Sequence, residues 1–243
     1  MKDILKDIID HTISIDGLEF IKITNDDDNT LIESITEGNA VILKATAHSK
    51  VTDFEGTFGL SNLSLLSFHL KNPEYNNDGA TIKVVTEERN GEQTPVYMHF
   101  KNTNSEFENT YRFMNKVHIE EKIKSVKFKG AQWNVEFEPS IESISRMKLQ
   151  KAANPEETLF NVNVKDDDLI MSFGDGSTHA GKFVFQKDVG SLKHTWAWPI
   201  SHVLTILGMS GKSTMKISDQ GAMMIEVDSG LLKYEYILPA QVQ

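Results

Sequence analysis

The chain contains no cysteine. That excludes a disulfide framework, a thiol nucleophile and a cysteine-ligated metal site. No apolar run reaches the roughly 18 residues that a membrane-spanning helix needs. The opening MKDILKDIIDHT is too acidic, and too short in its apolar part, for a signal peptide, so a cytoplasmic protein is expected, in host cytoplasm if the source is viral. The eight histidines form no H-x-H or HExxH pair, which leaves a zinc site without support. No G-x-S-x-G elbow marks a serine nucleophile. The sequence therefore predicts no enzyme, no cofactor and no metal.

Two stretches invite a ligand reading that their spacing refuses. GKST at Gly211–Thr214 resembles a phosphate loop, but the pattern needs a glycine where Ile206 stands, and a helix after it. Asp26-Asp27-Asp28-Asn29 and Asp166-Asp167-Asp168 lack the alternating oxygens, the glycine and the closing glutamate of a calcium loop. They read as acidic hairpin tips.

What is present is a folded, acidic, β-rich chain. At 243 residues it is long enough for two domains near modal size. Its formal charge of -10 falls in one half: residues 1–121 carry 11 basic against 21 acidic side chains, and residues 122–243 carry 14 of each. Such a balance argues against a nucleic-acid binder that works by simple attraction.

The elements follow one order twice. An amphipathic helix over 2–12 buries Ile4, Leu5, Ile8 and Ile9. Strands are predicted at 18–24, 30–35, 40–47 and 54–59. Ser61 then caps a helix over 62–70, and strands follow at 81–87, 95–100 and 107–114. A polar join, residues 115–124, leads to a strand at 126–137 and a helix from Pro139 to about Ala152. Strands at 158–164, 169–173, 181–186 and 189–196 precede a helix from Pro199 to about Met209. Residues 212–243 close the chain as a meander of three strands, bounded by Asp219-Gln220-Gly221 and Asp228-Ser229-Gly230 and stopped by Pro239. The fold class expected is α+β, with two similar domains of antiparallel sheet carrying two helices each: 1–115, a connector at 116–124, and 125–243.

On the helices, Ser64, Ser67 and Lys71 share a face opposite Leu63, Leu66 and Leu70. Arg146 and Gln150 lie opposite Ile141, Ile144 and Met147, with Lys148 among the apolar positions and Lys151 near the edge. Ser201, His202 and Thr205 oppose Ile200, Val203, Leu204 and Leu207, with Lys212 just beyond. The first helix shows mainly Asp3, Asp7 and Asp10, with Lys2 and Lys6 off-centre. Solvated faces of ordinary amphipathic helices would look the same.

The ending, TWAWPISHVLTILGM running into a meander that closes on Gly230, Leu232, Lys233, Tyr234, Tyr236 and Pro239, resembles the last quarter of the ring-shaped DNA polymerase sliding clamps, PCNA and its tailed-phage counterparts. The doubled β-rich order extends that resemblance over nearly the whole chain. A helix at the start departs from the PCNA pattern and is closer to phage clamps. The resemblance implies a ring-forming DNA clamp fold, closed by three copies, that encircles double-stranded DNA as a processivity factor and tethers the replicative polymerase and other clients. An ATP-driven clamp loader would open it.

Carried over by position, the resemblance implies DNA-facing groups at Lys2, Lys6, Lys71, Arg146, Lys148, Lys151, His202 and Lys212. It implies a groove for client peptides at Val41, Ile42, Val117, Ile119, Tyr236, Ile237, Leu238 and Pro239. It implies subunit contacts through Phe107, Tyr111 and Phe113 on one edge strand and Lys182, Phe183, Val184 and Phe185 on the other. The rival reading is a bacteriophage virion or tail structural protein with doubled β-rich domains. A ligand-binding or hydrolytic β-barrel lacks a polar constellation to support it.

Overall fold

Alternation and turn chemistry decide most of the elements. The computed structural model describes residues 1–26, 28–89, 91–123, 128–176 and 179–241. The chain divides into two compact units: Met1–Glu37, Leu43–Lys127 and Ser229–Tyr234 form unit 1, and Gly38–Ile42, Phe128–Asp228 and Glu235–Gln243 form unit 2.

Unit 1 opens on α1 (Lys2–Asp10), which buries Leu5, Ile8 and Ile9. Strands β1 (Phe20–Asn25) and β2 (Thr30–Ile35) bury every second residue, as a half-covered sheet requires. With β3 (Ile42–Ala47) and β4 (Gly56–Ser61) they are ordered β4-β1-β2-β3. Register is fixed by pairs such as Ile23 with Ile32 and Ile21 with Leu60. Helix α2 (Leu63–Lys71) is capped by Asn62 rather than Ser61: Asn62 takes a left-handed conformation and accepts from the Leu65 N–H. Asparagine is among the residues that tolerate that geometry and cap well.

A second sheet follows: β5 (Thr81–Arg89), β6 (Glu92–Lys101) and β7 (Glu108–Arg112), in that order. The expected polar join over 115–124 is instead a helix, α3 (Lys116–Lys122), capped by Asn115, whose side chain accepts from the His118 N–H. Among its described residues unit 1 thus has three α-helices where two were expected. Ile119 of α3 is fully buried.

Unit 2 has one short strand, β8 (Val135–Phe137), where a strand over 126–137 was expected. Residues 128–134 are not extended into a ladder, and 126–127 lie outside the described residues. Ser140 caps α4 (Ile141–Ala153) by accepting from the Ser143 N–H at 3.0 Å. Strands β9 (Leu159–Lys165), β10 (Asp168–Phe173), β11 (Gly181–Gln186) and β12 (Trp196–Pro199) form a sheet ordered β11-β10-β9-β12. The strand expected over 189–196 is not there, and pairing begins only at Trp196. Pro199 precedes α5 (Ile200–Leu207).

The closing meander forms as its alternation demands. β13 (Lys212–Ser218) pairs with β14 (Ala222–Asp228), and β15 (Leu232–Pro239) completes the order β15-β14-β13-β8. The core of unit 2 gathers Met147, Phe160, Trp198, Val203, Ile225, Tyr236 and Leu238. Trp198 donates its indole N–H to the Leu238 carbonyl at 3.0 Å, the partner a buried tryptophan needs. The first residues of β15, Leu232–Tyr234, cluster with unit 1, where the His48 N–H donates to the Leu231 carbonyl at 2.9 Å.

Candidate functional site

The cations of the helices come first, because the sequence reading turns on them. In unit 1, Lys2 is spent on the fold: its ammonium donates to the Tyr75 carbonyl at 2.9 Å. Lys6 and Lys71 are exposed and make no ion pair with a described residue. Lys6 nonetheless stands between the exposed carboxylates of Asp3 and Asp10 on α1.

In unit 2, Arg146 pairs with Glu142 at 2.6 Å, one helical turn back. Lys212 pairs with Glu138 at 2.6 Å, and that hydrogen bond together with the carboxylate's attraction raises its pKa. Lys151 donates to the carbonyls of Pro155 and Glu157. His202 is half-buried on α5. Lys148 is exposed and without an ion pair among the described residues. Of the eight cationic positions, Lys6, Lys71 and Lys148 are exposed and pair with no carboxylate among the described residues, while Lys2 and Lys151 keep their charge but are held by neutral carbonyls.

The helix faces differ from those expected. On α4 the buried positions are Ser143 and Met147, while Ile141 is 85% and Leu149 70% exposed. The reason is the strand beneath. Ser143 donates to the Phe185 carbonyl of β11 at 2.6 Å, and Gly181 leaves room for Gln150, whose side-chain oxygen occupies the space a Cβ would need. Ser143 bonds to the edge strand and Gln150 lies against it, so polar positions take the side of α4 that the apolar stripe was expected to fill. Lys148 consequently stands in solvent. On α2 the expected apolar face holds, with Leu63, Leu66 and Leu70 buried and Ser64 and Lys71 exposed; Ser67 alone departs and is buried, while Leu65 is 40% and Phe68 63% exposed.

His69, also on α2, is buried, with its ring 5.0 Å from Phe100 and 6.3 Å from Tyr75. Burial alone lowers its pKa. The acidic tips are hairpin turns, as expected: Asp26 accepts from the N–H groups of Asn29 and Asp28, which lowers its pKa, and Asp166 and Asp167 occupy left-handed conformations between β9 and β10. Lys212 begins β13, so no helix follows the GKST stretch.

Of the eight groove positions, Val41, Ile42, Ile119, Tyr236, Ile237 and Leu238 are buried. They are core residues and offer no side-chain surface to a peptide as they stand. Val117 in unit 1 is 64% exposed, and Pro239 in unit 2 is exposed. Periodicity could not separate these, because an alternating strand and a covered strand share the same residue types.

The strands singled out for subunit contacts lie at sheet edges, β7 beside β6 and β11 beside β10. Lys182 is exposed, and Phe183 and Val184 are half-buried. Tyr111 and Phe185 are buried within their own units. Tyr111 donates to the Ser61 carbonyl, and desolvation pushes its pKa far up. Just past β7, Met114 and Gly59 exchange both backbone hydrogen bonds at 2.8 Å. Phe113 packs 4.4 Å from Phe58, and Phe107, 42% exposed, lies 5.6 Å from Tyr75.

One cluster had no signal in the sequence. Asp7 of α1 accepts from the hydroxyls of Ser229 at 2.8 Å and Tyr234 at 2.7 Å, and His11 stacks on Tyr234 at 4.5 Å. More than 220 residues separate the partners along the chain.

No protein-family model matches this chain, and no curated protein matches it by sequence. Solved structures do. The chain aligns over 100% of its length, and 96% of the other chain, with the structure described as the C-terminal region of FEN-1 bound to A. fulgidus PCNA, at a TM-score of 0.67 and 11% identity. It aligns over 99% of its length, and 97% of the other chain, with PCNA from Thermococcus kodakaraensis, at a TM-score of 0.64 and 10% identity. The fold is that of the PCNA sliding clamps, an α+β fold of antiparallel sheets.

Proposed function

We propose that the protein is a DNA sliding clamp, a ring of three copies that encloses duplex DNA and tethers a replicative polymerase. It does no chemistry of its own. The observation that carries the reading is the end-to-end match with PCNA, which leaves almost nothing of either chain unaligned. The open edges of β7 and β11 support it, because an unpaired strand edge in a soluble protein needs a partner or a guard. Head-to-tail pairing of two unlike edges closes into a ring when the rotation between copies is right.

Enclosure also resolves the charge objection. A ring needs no strong phosphate attraction, and tight contacts would act as a brake on sliding. With a screening length of about 8 Å at physiological salt, an acidic exterior and a few local lysines coexist. Because a closed ring must be opened to admit DNA, an ATP-driven loader is part of the proposal. Clients would attach by short peptides; the C-terminal region of FEN-1 is bound to the A. fulgidus protein. The helix-first order is our reason for proposing a tailed-bacteriophage source, acting in host cytoplasm.

The test combines assembly and topology. Sedimentation should give a discrete trimer. Protein loaded on a nicked circle should survive a salt wash and be released when the circle is cut, and polymerase products should lengthen in its presence. A monomer, or an open polymer that leaves product length unchanged, would overturn the reading and favour a structural role.

A further inference from the structure

The geometry points to the outer edge of β5 as a strand-addition site for an extended peptide of a partner protein, one that alternates apolar, acidic and apolar residues. Among the described residues β5 pairs on one side only, with β6. It is the edge opposite β7, so the site is separate from the strands proposed to join copies, and the inference does not rest on the ring.

Unit 2 holds the template. There β13 comes after α5 and opens the meander β13-β14-β15, as β5 in unit 1 comes after α2 and opens β5-β6-β7. The other side of β13 is covered by β8, with Met215 opposite Phe137, Lys216 opposite Glu136 and Ile217 opposite Val135. Met215 and Ile217 are fully buried, and Lys216 stands 3.6 Å from Glu136 and 3.1 Å from Glu226. A triplet of apolar, lysine and apolar residues is thus covered by one of apolar, acidic and apolar residues, each pair matched across the ladder.

β5 carries the same kind of triplet, Ile82-Lys83-Val84, without the cover. Ile82 and Val84 lie opposite Phe100 and Met98, which are fully buried, so they face the core of unit 1, yet each is only half-buried. Lys83, on the other face, is exposed and makes no ion pair with a described residue. A lysine on an open edge commonly guards against strand addition. Lys216 has the same surroundings in sequence but sits on a covered strand, where it meets a carboxylate of the covering one. Lysine in this setting therefore admits a strand of the right charge.

Charge selects the occupant. Register places Lys101 and Arg112 on the same sheet face as Lys83, together with Glu108, which lies 3.1 Å from His99. Three cations against one carboxylate favour an acidic residue in the added strand. The carboxylates of β5 itself stand at its far end, where Glu87 pairs with Arg89 at 2.8 Å and Glu88 is exposed. A bulge between Val85 and Thr86 interrupts the ladder before them. What remains, Thr81 to Val85, has room for a segment as short as the three residues of β8. Two β5 edges paired about Lys83 would set lysine against lysine, which disfavours a second copy.

The chain supplies its own probe: a labelled peptide WNVEFEP, residues 133–139, and a second peptide carrying Glu136→Lys. On the full-length protein the first should bind saturably below about 1 mM by fluorescence anisotropy, and should slow amide exchange in β5 while leaving β13 unchanged. Lys83→Glu, a change at an exposed side chain, should weaken that binding at least about fivefold and make the lysine peptide the better ligand. Binding that ignores Lys83→Glu, or that alters exchange in β13, would mean that the peptide replaces β8 in unit 2, and would overturn the inference. So would no binding up to about 1 mM. Self-association without peptide that Lys83→Glu abolishes would overturn it too, by making a second copy the occupant.

Discussion

Ile119 of α3 lies directly on Gly59 of β4: a Cβ added to Gly59 would meet Ile119 side-chain atoms at 2.7 to 2.8 Å. Both residues are buried, and the strand cannot retreat because Gly59 also exchanges two hydrogen bonds with Met114. Gly59→Ala should therefore lift α3 from its seat at a cost of about 1–3 kcal/mol, the usual range for overpacking. Urea unfolding would read this as a lower midpoint, with faster amide exchange in α3. Truncating the partner should relieve the clash, so Gly59→Ala with Ile119→Ala should cost less than the two single changes added together. Strict additivity would mean that the close approach does not govern the docking of α3.

The carboxylate of Asp7 makes the second prediction. It is 13% exposed and accepts from both Ser229 and Tyr234. A mostly buried charge that loses a donor keeps its desolvation cost, so Tyr234→Phe should destabilise unit 1 by about 1–3 kcal/mol. Ser229→Ala should act in the same direction. Because both hydroxyls serve one oxygen, the double variant should depart from additivity. A neutral effect of Tyr234→Phe on the urea midpoint would show that the carboxylate is satisfied elsewhere.

Acid sensitivity follows from His69. Burial lowers its pKa below the ordinary 6.5, so the folded state holds the ring neutral. In the unfolded chain the imidazole takes up its proton near pH 6.5. Stability from this group is complete above that value, and is lost as pH falls from 6.5 toward the lower folded pKa, with a slope of at most about 1.4 kcal/mol per pH unit. His69→Phe keeps the ring stacked toward Phe100 and removes the titration. Comparing urea midpoints of the two proteins between pH 7 and pH 5 should show the native chain losing stability faster. Parallel curves would mean that His69 does not titrate on unfolding.

These three relationships also mark where the sequence stops being readable. The meander from Lys212 to Pro239 was legible because period-2 alternation and Asp/Gly turns are local signals. So were the helices α1, α2, α4 and α5, but neither α3 nor the absence of a strand over 189–196 was. The inside of α4 was not: Ser143 is buried because a carbonyl of β11 awaits it, and Ile141 is exposed because that side of the helix faces no sheet. Helical periodicity predicts which residues share a face but not which face meets a partner strand. The segment at Lys116–Lys122 looked like a polar connector because one buried side chain, Ile119, anchors the whole helix. Likewise Asp7 and Tyr234, far apart in sequence, carry no mark of each other.

The last prediction concerns which lysines feel DNA. Glu142 and Glu138 offset the fields of Arg146 and Lys212, Lys2 is bound to a carbonyl, and Lys151 is folded onto the end of its own helix. Lys6, Lys71 and Lys148 remain uncompensated by any ion pair among the described residues. On linear duplex, log K should fall with log salt by about 0.9 for each phosphate contacted. Lys6→Gln, Lys71→Gln and Lys148→Gln together should flatten that slope and lower residual affinity at low salt by about tenfold or more. The same change at Arg146, Lys151 and Lys212 should leave the slope nearly intact. Titration of labelled linear duplex at several salt concentrations separates the two triple variants. Equal losses in both would show that DNA attraction is set by total charge, and the three lysines would have no special part in it.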